Sequence, residues 1–337
     1  MPRDVSLAQA ILDAIEEPTL LVASGRVEAA NRPACSLLGG AIAGRDLRFA
    51  IRHPLGLDTI LKEEPAEVEL IGIGGSERPW TLSVQPVGAN HQLVRLIDRS
   101  ALRSAEQMRT DFVANASHEL RTPLATIIGY AETLAEDGPV DDAMRARFGS
   151  TIDAEARRML RIVEDLMSLS RIEADRYRPP DEQVDLGEVA RIAIDNCVQL
   201  TERRGCRVAL DVAPKLPAVT GDLGQLLQLT DNLIANALRY GCGDESCDVR
   251  LAVGIEGSRV VLEVSDQGEG IAADHLPRLT ERFYRVDSAR SRDSGGTGLG
   301  LAIVKHIVER HRGVLEIRSR PGEGTSVRVS FPAVTKA

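Results

Sequence analysis

The feature that most constrains the fold of this chain is a stretch, residues 98–178, that carries almost no strand signal. Apolar residues recur there at spacings of three and four, the period of one face of an α-helix. They are Leu102, Ala105, Met108, Phe112, Ala116, Leu120, Leu124, Ile127, Ala131 and Leu134, and then Phe148, Ile152, Ala156, Met159, Val163, Leu166, Leu169 and Ile172. Between the two runs, EDGPVDD holds Gly138 and Pro139, which end a helix, and Asp141 or Asp142, which can cap the next one.

Two such helices make an antiparallel hairpin, but a single hairpin cannot bury its apolar seams on all sides. Two hairpins packed as a four-helix bundle are the economical solution. We therefore predict that residues 98–178 form a helical hairpin and that the chain is a homodimer with a dimeric four-helix bundle.

The whole chain has 337 residues, which is too long for one hydrophobic core, so two or three domains are expected. Its formal net charge of −9 argues against direct binding to nucleic acid, because phosphate contacts require clustered Lys and Arg. No apolar run approaches the roughly 18–20 residues that cross a bilayer, and the N-terminus lacks the apolar segment of a signal peptide. A cytoplasmic protein is expected, with membrane attachment only if an N-terminal anchor is missing from this chain.

Residues 1–97 have the pattern of a small α+β domain. The apolar spacing of Leu7, Ile11, Leu12 and Ile15 predicts a short amphipathic helix. The segment TLLVASGRVEAAN is typical of two strands joined by a turn at Ser24-Gly25. AEVELIGI, RPWTLSVQPV and HQLVRLID are strand-like and are separated by glycine-containing turns, which predicts a three-strand meander.

Residues 181–337 mix both periods, which indicates a two-layer α/β sandwich. Helices are predicted over 185–204, 222–240 and 298–312, and strands over CRVALDV, DVRLAVGI, RVVLEVSD, VLEIRSR and TSVRVSFP. In GGTGLGLAIVKHI, from residue 295, a glycine cluster opens directly into an apolar helix. Glycines let a backbone approach a ligand, and a helix N-terminus offers free N–H groups, so the cluster suits phosphate. Taken alone, it is equally compatible with a flexible turn before a helix.

Two further groups of polar residues in 181–337 are candidates for binding the same ligand. Asp266, in DQGEG, follows an apolar strand, where a carboxylate can accept a hydrogen bond from an amine such as adenine N6. In DNLIANALRY, Asn232 and Asn236 share one helix face with Arg239. An amide oxygen suits Mg²⁺, and an arginine suits phosphate oxygens. Alternatively, Asp266 is an ordinary aspartate of a β-turn, and Asn232 and Asn236 are surface or capping amides.

The order Asn-x-x-x-Asn, DxGxG, FYR and GGTGLGL resembles the nucleotide-binding domain of the sensor histidine kinases, a Bergerat-type α/β sandwich that binds ATP. NASHELRTPL, at 115–124, is similar to the phosphoacceptor motif of that family. HELRTPL together with FYRVDSARS is most similar to the phosphate-regulon sensor kinases. The resemblance implies a hairpin for dimerisation and histidine phosphotransfer at 98–178 and a catalytic domain at 181–337, and residues 1–97 resemble a PAS sensor domain by strand pattern and position.

The resemblance also implies roles for single residues. His118 is expected to be the phosphorylated histidine, and Asn236 the ligand of Mg²⁺. The expected contacts to ATP come from Asn232, Asn236, Arg239, Tyr240, Asp266, Gly268, Gly270, Arg285, Gly296, Thr297, Gly298, Leu299 and Gly300. Gln267 stands where many relatives have asparagine, and little effect is expected from it because it lies between the critical positions.

NASHELRTPL can also be considered chemically. An unprotonated imidazole is a nucleophile near neutral pH, and attack by His118 on phosphorus leaves a proton on its other ring nitrogen. Glu119, the next residue, is a candidate general base for that proton. The family motif ExxT implies that Thr122 orients water when a partner is dephosphorylated. Pro123 frees the carbonyl of Glu119 and is expected to loosen the helix there.

The chain is therefore expected to be a protein-histidine kinase that phosphorylates itself from ATP with Mg²⁺. It would pass the group to an aspartate in the receiver domain of a response regulator and also dephosphorylate that regulator. Two alternatives stay open. Another ATPase of the same nucleotide fold would have no use for NASHELRTPL, and a non-catalytic scaffold would have no use for Asn236, Asp266 and the glycine segments.

Overall fold

The computed structural model describes residues 2–75, 77–88, 90–136, 141–175, 178–241, 248–286 and 296–334. The chain divides into two compact units, Met1–Asp111 and Phe112–Ala337. The predicted helix break at Gly138 and Pro139 lies outside the described residues. Within the described ranges, no helix has the length and the apolar character that a membrane span requires.

The first unit is built on an antiparallel sheet of five strands in the order β2-β1-β5-β4-β3. The strands are β1 (Thr19–Ala23), β2 (Arg26–Ala30), β3 (Ala66–Ile71), β4 (Pro79–Val87) and β5 (His91–Asp98). The predicted strand–turn–strand and the predicted meander are both confirmed, and Leu82 of β4 pairs with Val68 on one side and Leu96 on the other. More and less buried residues alternate along β5, because one face of the strand packs on the core.

Helices of the first unit are α1 (Pro2–Asp13), α2 (Arg32–Leu38), α3 (Leu47–Ala50) and α4 (Pro54–Leu61). The apolar spacing predicts only α1, because α2, α3 and α4 hold 7, 4 and 8 residues and are too short to establish a period. The buried amide of Asn31 caps α2 by accepting from the N–H of Ala34, and it also accepts from Thr19 and donates to Glu17. A buried amide is stable only when it is hydrogen-bonded, so these contacts fix β1 and α2 to each other.

The second unit begins with the predicted pair of long helices, α5 (Ser100–Ala135), whose first turns belong to the first unit, and α6 (Asp142–Ala174). Asp141 caps α6, and its Oδ1 accepts from the N–H of Met144 at 2.6 Å. The rings of Tyr130 and Phe148 lie 4.9 Å apart and pack α5 against α6. The far end of α6 joins the next layer, since its Leu169 and Ile172 are part of the core of the sandwich.

Within the described residues, the sandwich comprises a mixed five-stranded sheet, a two-stranded sheet and three α-helices. Its strands are β6 (Glu182–Val184), β7 (Arg207–Val212), β8 (Val219–Gly221), β9 (Asp248–Glu256), β10 (Arg259–Asp266), β11 (Val314–Arg320) and β12 (Gly324–Pro332). Its helices are α7 (Leu186–Arg204), α8 (Leu223–Tyr240) and α9 (Gly300–Arg310). The large sheet has the order β11-β12-β10-β9-β7, with β7 and β9 parallel, and β6 pairs with β8. All three predicted helices and all five predicted strands are confirmed, whereas the short β6 and β8 have no predicted counterpart.

His311 joins the start of α8 to the end of α9. Its Nδ1 donates to the carbonyl of Ile307 at 2.8 Å, and its Nε2 accepts from the N–H of Asp222 at 3.0 Å. This pair of contacts requires the neutral ring. Burial lowers the pKa of His311 below its ordinary value of 6.5, so the folded protein resists protonation of this side chain.

The stability of the protein should therefore fall as pH decreases through 6.5, because the unfolded state then binds a proton that folded His311 excludes. The contribution is fully present above that pH and is lost progressively down to the lowered pKa of the folded state. His311→Gln should cost about 1–3 kcal/mol at neutral pH and should reduce the pH dependence. Thermal unfolding followed by circular dichroism above and below pH 6.5 measures both effects. The control is His91→Gln, on the half-exposed His91–Glu28 pair, and equal pH dependence in wild type and His311→Gln would contradict the prediction.

Candidate functional site

His118 lies on α5 with an exposed side chain. One turn further along, the hydroxyl of Thr122 donates to the carbonyl of His118 at 3.3 Å, so it is bonded to the backbone of its own helix. α5 continues through Pro123, which is buried. Proline has no N–H, and the helix therefore lacks one backbone hydrogen bond in the turn that holds His118 and Glu119.

Glu119 turns away from solvent and into the hairpin. Its Oε2 accepts from Nη2 of Arg158, on α6, at 3.0 Å, and Nη2 of Arg285 lies 3.6 Å from the same oxygen. The side chains of both arginines are 8% exposed. Among the described residues no hydrogen bond joins Glu119 to His118, so the role of Glu119 as a base stays a prediction. Arg285, which the family resemblance implies contacts ATP, lies against the hairpin in this conformation.

The face of α8 that carries Asn232 and Asn236, which we call the asparagine face, meets the start of α9. A methyl group placed on Gly300 would lie 3.7 Å from Oδ1 of Asn232 and 3.7 Å from Nδ2 of Asn236. Nδ2 of Asn232 is buried and has no hydrogen-bond partner in the structure. The described residues hold no cluster of His, Cys, Asp or Glu that could bind a metal by itself. A cation here would have to combine an amide oxygen with oxygens of a ligand, which is the donor type that Mg²⁺ prefers.

Residues 296–300, which we call the glycine loop, approach α8 closely. A methyl group on Gly296 would lie 2.5 Å from the hydroxyl of Tyr240 and 3.7 Å from Nη1 of Arg239. Gly298 has φ +73°, and a methyl group there would lie 2.9 Å from Cα of Phe283. A side chain at Gly298 is therefore excluded by both backbone conformation and space. The loop thus ends with Gly300, at the start of α9, next to the asparagine face.

Asp266 ends β10 beside the C-terminal end of α8, since a methyl group on Gly241 would overlap its side chain. Its Oδ1 accepts from the N–H of Gly268 at 3.0 Å and from the N–H of Thr325 at 3.2 Å. Burial raises the pKa of Asp266 above its ordinary value, although these two hydrogen bonds favour the carboxylate. Gly270 has φ +69°, and any side chain there would overlap the backbone of Arg320. The tight turn after β10 thus holds one carboxylate oxygen and leaves the other for a ligand.

Asp165, on α6, is a member of the site that no sequence pattern singled out. Its Oδ2 accepts from the hydroxyl of Thr297 in the glycine loop at 2.7 Å, and the same hydroxyl oxygen accepts from the N–H of Leu299 at 3.2 Å. Burial raises the pKa of Asp165, while the positive charge of Arg239 opposes that rise. A carboxylate of the hairpin therefore lies among groups that the sequence assigns to phosphate.

Residues 282–285, which we call the FYR segment, contact both helices of the hairpin. Arg282 forms an ion pair with Glu173 and lies over the ring of Phe112, 5.0 Å from its centroid. The rings of Phe283 and Phe112 are 5.9 Å apart. The N–H of Phe283 donates to the carbonyl of Gly298 at 2.8 Å. Docking of this segment on the hairpin is thus coupled to the position of the glycine loop.

Comparisons with known families agree with this division of the second unit. Residues 108–175 match the family described as the His Kinase A (phospho-acceptor) domain. Residues 221–335 match the family described as Histidine kinase-, DNA gyrase B-, and HSP90-like ATPase. The first match contains His118, and the second contains the asparagine face, Asp266 and the glycine loop.

The likeness to individual relatives covers between 71% and 96% of this chain. The phosphate regulon sensor protein PhoR of Pseudomonas aeruginosa is 36% identical over 335 residues, which are 96% of this chain and 75% of that protein. The sensor-like histidine kinase SenX3 of Mycolicibacterium smegmatis is 37% identical over 240 residues, and the match spans 71% of this chain and 62% of that protein.

Solved structures share the fold at low identity. Histidine kinase ThkA, solved in complex with the response regulator protein TrrA, matches with a TM-score of 0.52 and 17% identity over 96% of this chain and 98% of its own. Histidine kinase AdeS of Acinetobacter baumannii matches with a TM-score of 0.50 and 22% identity, covering 65% of this chain and 98% of its own. At these identities the likeness concerns the arrangement of helices and strands.

Proposed function

The chain belongs to the sensor histidine kinases, enzymes that take a phosphoryl group from ATP onto one of their own histidines and pass it on, and from this membership we propose that His118 is that histidine. The observation that carries the assignment is the exposed imidazole of His118 on α5, in the same compact unit as the glycine loop and the asparagine face. An exposed nucleophile on a long helix can be reached by a nucleotide held in the sandwich and afterwards by a second protein.

In the proposed reaction, the lone pair of one ring nitrogen of His118 forms a bond to the γ-phosphorus of ATP. The bond from that phosphorus to the bridging oxygen breaks, and its electrons leave with ADP. The other ring nitrogen carries a proton, and a carboxylate oxygen of Glu119 accepts a hydrogen bond from it or takes the proton. The product is a phosphoramidate, a donor that suits onward transfer to an aspartate.

For the nucleotide we propose the residues that the family resemblance implies. Asp266 would accept from the adenine amine with the carboxylate oxygen that no backbone N–H occupies, and Tyr240 would lie beside the base. Arg239 and the N–H groups of the glycine loop would meet the phosphates. The amide oxygen of Asn236 would help to hold Mg²⁺, which when bound neutralises phosphate charge. The close approach of Gly300 to both asparagines supports this arrangement.

The test is incubation of the purified chain with γ-labelled ATP. Label on a histidine is lost in acid and persists in alkali, because a phosphoramidate hydrolyses readily when it is protonated. Proteolysis and mass spectrometry at alkaline pH should locate it in the peptide that contains His118. Label that survives acid, or label that maps to another residue, would overturn the assignment.

We propose that the acceptor of the phosphoryl group is an aspartate in the receiver domain of a response regulator, and that the chain also dephosphorylates this partner. The solved complex of ThkA with TrrA gives a precedent for such a partner. Exposed His118 supports the first role, and Thr122, one turn away, is the candidate for orienting water in the second. Transfer of label from the phosphorylated chain to purified receiver domains would identify the partner.

A homodimer is proposed from the apolar surface of the hairpin. Among the described residues, nine large apolar side chains of α5 and α6 are exposed in the single chain, namely Leu102, Met108, Val113, Leu124, Ile128, Met144, Leu160, Val163 and Met167. Such a surface is covered economically by a second hairpin. Sedimentation equilibrium should give twice the mass of the chain, and a monomer at micromolar concentration would contradict the proposal.

Residues 1–97 are proposed to form a PAS-like sensor domain. The antiparallel sheet with α2, α3 and α4 between its second and third strands supports this. Trp80, the only tryptophan of the chain, is buried in the core of this unit. A molecule that binds in this core should therefore change its fluorescence. A molecule that alters autophosphorylation without changing Trp80 emission would place sensing elsewhere.

Asp165 should oppose ATP binding as long as the glycine loop contacts the hairpin through Thr297. Its negative charge lies next to Thr297 and near Arg239, where phosphate oxygens of the same sign would have to enter. Asp165→Asn keeps the shape and removes the charge, so ATP should bind several-fold more tightly, as measured by calorimetry. The control is Asp153→Asn, on the same helix but exposed and paired with Arg157. Weaker ATP binding in Asp165→Asn would show that the carboxylate instead prepares the loop for the nucleotide.

A further inference from the structure

Arg158 is a buried cation in the middle of the hairpin. Its side chain is 8% exposed and lies on α6, facing α5. Nη2 donates to Oε2 of Glu119 at 3.0 Å, and Nη1 lies 3.8 Å from Oε2 of Glu155. A buried guanidinium is costly unless carboxylates pair with it, so the two partners and the arginine fix one another's positions.

The position of Glu119 on α5 explains why its carboxylate needs a partner that orients it. Neighbouring residues on an α-helix point about 100° apart, so Glu119 faces the hairpin when His118 faces solvent. The contacts from Arg158 and Arg285 both go to Oε2. Within the described part of the chain, Oε1 makes no hydrogen bond. One oxygen of the carboxylate is therefore held, and the other is available.

We propose that Arg158 is a positioning residue for histidine phosphorylation, which holds Glu119 by Oε2 so that Oε1 can serve the ring nitrogen of His118. The proposal rests on the roles of His118 and Glu119 proposed above. It follows the general design in which the base beside a nucleophile is itself oriented by a third group. Arg158 touches neither ATP nor the imidazole, and it is not consumed in the reaction.

Arg158 and Arg285 lie in different parts of the second unit. Arg158 and Glu119 both lie in the hairpin, 39 residues apart, and their contact is part of the packing of α5 against α6. Arg285 lies in the segment after Phe283, outside the hairpin. A movement of that segment towards ATP would remove one guanidinium from Oε2 and leave the other in place. Arg158 is therefore the partner that can orient Glu119 during the reaction itself.

The experiment compares Arg158→Met with Arg157→Met in the full chain. Arg157 is the adjacent arginine, exposed and paired with Asp153, and its loss removes the same charge from the same helix. Arg158→Met should lower the rate of label incorporation at saturating ATP by roughly tenfold to a hundredfold, a part of what a general base supplies. ATP affinity and the ATP concentration for half-maximal rate should stay unchanged. Arg157→Met should react like wild type, and Arg158→Lys, which keeps the charge, should recover part of the rate.

A double-mutant cycle separates positioning from a merely structural role. If Arg158 acts through Glu119, Arg158→Met should have no further effect on a chain that already carries Glu119→Gln. An equal loss in both backgrounds, a change in ATP affinity, or an equal loss in Arg157→Met would overturn the proposal. Should Arg158→Met fail to fold, Arg158→Lys in the two backgrounds provides the same cycle. Absence of label on His118 in wild type would instead refute the proposed function, whatever the variants do.

Discussion

His118→Gln should abolish the incorporation of label from γ-labelled ATP and leave ATP binding unchanged. Glutamine keeps polarity and approximate size but has no nucleophilic nitrogen, since the lone pair of an amide nitrogen is delocalised. His118 is exposed, so its replacement removes no core packing. The nucleotide residues belong to the sandwich, and their positions do not depend on the imidazole. Labelling assays and calorimetry on the same preparation measure the two expectations.

The matched control for this loss is His91→Gln. His91 is also a histidine with a solvent-accessible side chain, and its Nε2 lies 3.0 Å from Oε2 of Glu28 in the first unit. It should incorporate label at the wild-type rate. Acid-labile label that persists in His118→Gln would mean that another histidine is the acceptor. Simultaneous loss of ATP binding would mean that the substitution disturbs the fold, and a second variant, His118→Ala, would then be required.

Long, strongly periodic segments could be predicted from sequence because their pattern repeats over many turns. The apolar spacing from Leu102 to Leu134 predicts a helix, and the structure has α5 at Ser100–Ala135. β10 coincides with its predicted range, Arg259–Asp266, because a run of buried residues is bounded there by a glycine turn on either side. In both cases local sequence and tertiary environment favour the same conformation.

Short elements could not be predicted because their stability comes from distant partners. β6 and β8 have three residues each and are strands only because they pair with each other, Val184 with Val219. In the sequence they are separated by α7 and β7. The helices α2, α3 and α4 depend on caps such as Asn31, whose amide is fixed by residues before β1. Neither pairing with a distant strand nor capping by a residue fixed elsewhere produces a repeating pattern in the local sequence.

Some contacts of the candidate site could likewise be predicted from the sequence, and others could not. The approach of Asn232 and Asn236 to the glycine loop is foreseeable, because all of them belong to motifs with a chemical reason for their spacing. The pairs Glu119–Arg158 and Thr297–Asp165 are 39 and 132 residues apart, and no spacing rule connects them. Arg158 and Asp165 look like ordinary charged residues of an amphipathic helix. Only the packing of α6 against its neighbours reveals that Arg158 is buried, that Asp165 is partly buried, and that each contacts a predicted functional residue.

These unforeseen contacts have a common consequence. Glu119 and Asp165 are hairpin carboxylates, and Arg285 and Thr297 are their partners in the FYR segment and the glycine loop. Two groups that are expected to contact ATP are thus bound by acidic side chains of the hairpin that carries His118. Binding of a nucleotide in the proposed place requires these contacts to be exchanged for contacts with phosphate. The same groups can therefore couple occupancy of the nucleotide site to the position of the sandwich on the hairpin.

Asp266→Ala should weaken ATP binding by roughly a hundredfold, and labelling at low ATP should fall by the same factor. A hydrogen bond to a charged group contributes about 1.5–3 kcal/mol. The substitution also leaves the N–H groups of Gly268 and Thr325 without their acceptor, which disturbs the turn that shapes the floor of the site. Because burial raises the pKa of Asp266, wild-type binding should weaken with falling pH earlier than an ordinary aspartate would allow.

A nucleotide analogue makes this prediction specific to the adenine amine. Purine riboside triphosphate lacks the 6-amino group, so wild type should prefer ATP over it, and Asp266→Ala should bind both about equally. The control is Asp274→Ala, an exposed aspartate of the same domain, which should retain the wild-type preference. If Asp266→Ala lost affinity for both nucleotides by the same factor and kept the preference, Asp266 would support the turn without reading the base. The ratio of the two affinities therefore decides between a contact to adenine and a purely structural carboxylate.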